Sequence, residues 1–168
     1  LSGKVAVIKV GGATETEIEE KKYRVDDAVA AVKAAMAEGV VPGGGITLVN
    51  LADGLSAKGD EEYVAGHMLL KRSLEQPFRI LLSNSGLNPD EWLPQIRKAK
   101  NGQGIDVNNP TKLVDMKVAG VIDPTRVTRE ALQNAVSIAG TSMTMGALVV
   151  EVPEPKTAAA DPGMGGMM

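Results

Sequence analysis

Apolar positions fall into two short runs and several long stretches of helical spacing. Residues 5–10, VAVIKV, form a β-rich run closed by Gly11 and Gly12, which predicts a short, largely buried strand. From Thr14 the spacing is helical: Thr14 is a candidate N-cap, and Glu15 and Glu17 fall in the first turn. Val25, Val29, Val32 and Met36 then recur at helical intervals, within about 40 degrees of Val25 at 100 degrees per residue. Asp27 falls about 200 degrees from Val25 and points away from that packing stripe, while Asp26 lies on its flank.

Residues 39–45, GVVPGGG, break the helix, and residues 46–57 resume it with Leu48, Leu51, Ala52 and Leu55 on one side. Residues 61–85 predict a long helix, apolar at Val64, Met68, Leu70, Leu74, Phe78, Leu81 and Leu82, interrupted before Pro77 and ended by Gly86. Asn88 and Pro89 read as N-cap and first position of a short helix to about Lys100, with Trp92 as a packing anchor. Residues 101–110, NGQGIDVNNP, are turn-rich and read as a hairpin or as a loop over a base; the pattern leaves both open. Residues 112–119 predict a short helix.

Asp123 and Pro124 predict an acidic N-cap and first position of a helix to about Thr144. Its apolar residues, from Val127 to Met143, point in several directions, so it should be central and buried. Residues 147–152, ALVVEV, predict a second strand stopped by Pro153. Beyond it Pro, Ala, Gly and Met predict a mobile tail.

Composition narrows the chemistry. Hydrophobic residues make up 43% of the 168 but aromatics only 2%, so the core rests on aliphatic side chains and offers little for stacking on bases. A net charge of -3 argues against a nucleic-acid partner. No cysteine is present and His67 is the one histidine, which excludes disulfides, thiolate metal sites and a Cys nucleophile. His67, beside Met68, reads as a structural histidine. No apolar run reaches the roughly 18 residues of a membrane span, and no signal-peptide pattern is seen, so the expectation is a cytoplasmic protein. The first residue is Leu, inside what reads as a strand, which suggests a piece of a longer chain.

Two features carry candidate chemistry. Gly43, Gly44 and Gly45 open onto a helix and could turn successive N–H groups toward an anion. A tight interhelical turn fits the same residues, since neither a Walker A sequence nor GxGxxG is present. Asp26 and Asp27 fit a solvated charged face; if one is catalytic, the helix geometry favours Asp27.

In order and spacing, VAVIKVGG, EKKYRVDDAVAAVKAAMAEGVVPGGG, the kinked helix at Gln76-Pro77, GVIDPTRVTREALQNAVSIAG and the terminal GMGGMM resemble the C-terminal third of a group I chaperonin, the GroEL type. The resemblance covers the whole chain. It implies a mainly α fold with short strands: a returning segment of the intermediate domain over residues 1–37, the C-terminal half of the helical equatorial ATP-binding domain over 38–152, and a flexible Gly/Met tail over 153–168. A hinge near Glu38 and Gly39 would join the first two.

By the same resemblance, Asp27 matches the catalytic aspartate that orients the attacking water. Gly44 lines the nucleotide pocket, Asp123 bonds the ribose, and Val121 packs on adenine. Ile105, Asp106, Val107 and Asn108 form the loop over the base, one residue longer than the family's Asn/Asp-Ala-Ala. Asn88 stands where the family commonly has an acidic residue used between rings. The cofactor implied is ATP, with Mg²⁺ and K⁺ held mostly by the phosphate loop, aspartate and Gly-Asp-Gly-Thr-Thr motif of the other half-domain, which this sequence lacks. The partners implied are non-native polypeptides, identical subunits in a seven-membered type of ring and a co-chaperonin lid. The expected function is that of an ATP-driven folding machine, with this piece alone inactive in hydrolysis. Two alternatives are a nucleotide-independent structural or oligomerisation module and an unrelated small-molecule kinase-like enzyme using VVPGGG as an anion loop.

Overall fold

A computed structural model describes Gly3 and residues 5–152; the predicted Gly/Met tail lies outside the described residues. Two units are distinguished, Leu1–Gln133 and Asn134–Met168. Among the described residues the chain is mainly helical, with short strands, as the sequence predicts.

The first helix, α1 (Glu15–Glu38), starts where the sequence places it. The Thr14 side chain accepts from the Glu17 amide at 3.2 Å. Glu17 in turn accepts from the Ala13 amide at 2.8 Å and pairs with Lys21 at 2.7 Å. The predicted packing stripe is covered only in part: no residue of α1 is buried, Val25 is half-buried, and Val32 and Met36 are 59% and 82% exposed. The region before it also departs from expectation. Residues 5–10 form no strand, and Val5 and Val7 are 88% and 77% exposed. A strand exists by pairing its N–H and C=O groups with a neighbour, and no described residue pairs with this run.

Past Gly39 the chain forms β1 (Val40–Pro42), a strand where the sequence predicts only a break between helices. It then turns through residues 43–45 into α2 (Ile46–Gly54). The α2 face toward the core is Ile46, Val49 and Ala52, whereas the predicted Leu51 is half exposed. The turn sets this rotation, because Gly45 is held against Phe78 and delivers Ile46 directly inward. The predicted long helix is two: α3 (Glu61–Leu74), capped by Asp60, and α4 (Gln76–Asn84), which begins at the Pro77 break. His67 is half-buried, its ring 4.7 Å from that of Tyr63. At Gly86 the amide bonds the Ser83 carbonyl and the Leu87 amide that of Leu82, closing α4. Asn88 caps α5 (Pro89–Lys98) by accepting from the Asp90 amide at 3.1 Å.

Residues 101–116 resolve as a hairpin: β2 (Gln103–Ile105) pairs antiparallel with β3 (Leu113–Asp115), Gly104 opposite Val114. The helix predicted over 112–119 is therefore a strand followed by a turn. Leu113 and Val114 pack half-buried on the core, and cross-strand pairing outweighs the weak helical pattern of so short a segment. A second ladder joins β1 to β4 (Ile122–Pro124), with Val41 opposite Asp123. Asp123 and Pro124 thus lie in a strand, and α6 (Thr125–Met143) starts after them. The capping role expected for Asp123 is displaced because its backbone is engaged with β1.

The core gathers Ile46, Val49, Phe78, Leu82, Leu93, Ile96, Ile105 and Met116, with Trp92 and Val121 packed at its edge. Fully burying side chains of this size contributes about 1.5–3 kcal/mol each. The central, buried helix expected at α6 is not found: none of its residues is buried. Its apolar positions are distributed around the axis, and among the large ones only Leu132 is half-buried, while Val127, Val136, Ile138 and Met143 are exposed. The second predicted strand, residues 147–152, is likewise unpaired, with Val149 93% exposed.

Candidate functional site

The site grows from the turn at residues 43–45 and the β1–β4 ladder beside it. The Gly43 amide donates to the Val121 carbonyl at 2.9 Å, which lays the start of the turn along the strand leading into β4. At Gly43 a β-carbon would stand 3.1 Å from the Ile122 nitrogen and 3.2 Å from Asp123 Oδ1. Gly44 has φ +67, with Met116 Cε at 3.1 Å and Val121 Cγ1 at 4.0 Å from where its β-carbon would be. Gly45, at φ +76, would place a β-carbon 2.8 Å from the Phe78 nitrogen. Close approach and positive φ together require glycine at these last two positions. Thr47 donates to the Pro42 carbonyl at 2.7 Å and fixes the entry to α2.

The fold therefore gathers Gly44, Val121 and Asp123 around one turn. Val121 and Asp123 are half-buried, and among the described residues the Asp123 side chain accepts no hydrogen bond. Burial raises its pKa above the ordinary carboxylate value, because a desolvated charge without a partner is disfavoured. An unpartnered carboxylate beside a side-chain-free turn fits a ligand hydroxyl group.

The other residues expected at the site lie on other elements. Asp106, Val107 and Asn108 lie where the β2–β3 hairpin turns: Asp106 accepts from the Asn108 amide at 3.0 Å, and Val107 is 40% exposed. Asp27 is exposed on α1, about 16 Å along the helix axis from Glu38 at 1.5 Å per residue. No described contact brings it to the turn. Among the described residues no group of three His, Cys, Asp or Glu side chains could hold a metal ion, and no helix is long and apolar enough to cross a membrane.

One feature beside the site had no local signal. Arg129 of α6 grips Glu38, the last residue of α1, through Nε at 3.1 Å and Nη2 at 2.6 Å. The Thr125 amide also donates to the Gly39 carbonyl at 3.0 Å. Arg129 holds the Glu38 carboxyl below the ordinary range. The partners are 91 residues apart, so no spacing rule could find them.

The structure matches the crystal structure of a group III chaperonin in the open state, with a TM-score of 0.74 and 28% identity, over 83% of this chain. The match spans 30% of that protein's chain. The TCP-1/cpn60 chaperonin family model matches residues 1–153, and the chain belongs to that family.

Proposed function

We propose that the chain is the C-terminal third of a group I chaperonin subunit, which forms rings with identical subunits and uses ATP to assist the folding of non-native polypeptides in the cytoplasm under a co-chaperonin lid. The observation that carries this reading is the convergence of Gly44, Val121 and the unpartnered Asp123 carboxylate at the β1–β4 ladder. In this reading residues 1–37 belong to the intermediate domain, 38–152 to the equatorial domain and 153–168 to the tail.

Asp123 accepts a ribose hydroxyl, Gly44 lets the nucleotide approach the backbone, and Val121 offers an apolar contact to the base. Asp106, Val107 and Asn108 lie over the base at the hairpin turn. ATP supplies the phosphoanhydride, with Mg²⁺ and K⁺ held mainly by parts of the subunit other than these residues. Asp27, on the exposed side of α1, orients water once α1 swings about the joint near Glu38 and Gly39. Phosphoryl transfer needs metal, positioned phosphate and oriented water together. These 168 residues alone should therefore leave ATP intact.

The test is Asp27→Ala in the complete subunit. Nucleotide binding should hold within about twofold while hydrolysis falls by about a hundredfold, the scale of losing one general base or water-orienting group. Equal loss of binding and hydrolysis would make Asp27 a structural residue and overturn the assignment.

A further inference from the structure

A concave site lies near the C-terminal end of α2, away from the glycine turn. It has a volume of about 690 Å³ and is lined by the apolar Met68 and by Lys71, Arg72, Glu75, Gln76, Arg79 and Arg97. Lys71 and Arg72 stand in the last turn of α3, Glu75 caps α4, and Arg79 lies one turn on from Glu75, so the α3–α4 junction brings these side chains to one cleft. Arg97 reaches in from α5. Four cations thus face one concavity in a chain whose net charge is -3.

Carboxylates position these cations without matching them in number. Glu75, 5% exposed, pairs with Arg97 at the floor and lies 3.7 Å from Arg79. Arg97 also approaches Asp53, the penultimate residue of α2, at 3.4 Å, while Lys71 stands 3.9 Å from the same carboxylate. Arg79 bonds Asp90 at 2.6 Å. Arg72 makes no ion pair among the described residues. Three carboxylates against four cations leave one guanidinium unmatched and Lys71 only loosely held.

We propose that this cleft binds a polyvalent phosphate chain, of the kind found in inorganic polyphosphate. A guanidinium fork matches phosphate oxygens in pairs, and Arg72 with the loosely held Lys71 offers the unmatched charge, while Arg79 and Arg97 are fixed at the wall by carboxylates and can share only their remaining N–H donors. The lining contains no aromatic ring, so nothing there would grip a base, and recognition rests on phosphate charge. The site is separate from the glycine turn and does not depend on the nucleotide reading.

The test is calorimetric titration of the chain with tripolyphosphate at low salt, with ATP as a parallel ligand. Saturable binding at one site per chain is expected, weakening as salt rises. Arg72→Gln, which removes no described ion pair, should weaken it about tenfold, in the range of one charged hydrogen-bonding group. Lys112→Gln, remote from the cleft, and Asp123→Asn, at the glycine turn, should leave it unchanged. ATP binding that is lost in Arg72→Gln but kept in Asp123→Asn would assign the cleft to nucleotide phosphates as well. Absence of saturable binding, or binding that Arg72→Gln leaves intact while circular dichroism reports an unchanged fold, would overturn the proposal.

Discussion

Asp123 carries an energetic burden that a capping residue would not. Its carboxylate is half-buried and without a partner among the described residues, and desolvation raises its pKa. A group whose folded-state pKa is raised gains protons on folding, so the ionised form weighs against the fold above that pKa and the burden is relieved as pH falls. Asp123→Asn removes the charge while keeping the shape. Thermal unfolding near neutral pH should therefore occur at the same or a higher temperature than in the parent. Lower stability would show that the carboxylate has a structural partner. Gly45 makes the opposite case, with its positive φ and the Phe78 backbone 2.8 Å from a would-be β-carbon. Gly45→Ala should cost about 2–4 kcal/mol in urea unfolding, combining backbone strain with overpacking. Both residues stand out in the sequence, but periodicity gave no access to Asp123's strand pairing or to the Phe78 contact, which are made far along the chain.

Elements whose signals are complete within a few residues were legible. Thr14 and Asn88 cap the helices they were expected to cap, and the break before Pro77 divides the long helix. Elements that exist through a distant partner were not. β1 is three residues long and becomes a strand through β4, and the segment after Lys112 takes its conformation from β2. Conversely, residues 5–10 carry a strand pattern and have no described partner. The same distinction marks the clasp between Glu38 and Arg129. Its depressed carboxylate pKa implies a contribution present above the unfolded value of 4.5 and lost as pH falls through the lower folded value. Arg129→Gln should abolish that acid dependence and loosen the end of α1, seen as faster amide exchange around residues 36–40. Unchanged exchange would mean that the β1–β4 ladder holds the joint by itself.

At the scale of the whole molecule, the core is small and its apolar surplus large. Phe78 sits at its centre, 1% exposed, and Phe78→Ala should cost about 3–5 kcal/mol by equilibrium denaturation. Outside the core, Val7, Met36, Val136 and Leu148 are each more than half exposed. Such a surface predicts association: the isolated chain should elute above its monomer mass of 17.5 kDa in light-scattering chromatography at tens of micromolar. A monomer at that concentration would mean that these side chains are too dispersed to form a joint patch.

The β1–β4 ladder also bears on the order of folding. Val41 and Asp123 face each other across about 80 intervening residues, and closing a loop of that length costs about 4 kcal/mol in chain entropy. Three residue pairs cannot repay that from an open chain. The core helices and the hairpin must first shorten the path between the two strands, so the ladder should form late, and the glycine turn should acquire its final shape only as folding ends. Variants that weaken the ladder should then accelerate unfolding while leaving the refolding rate nearly unchanged.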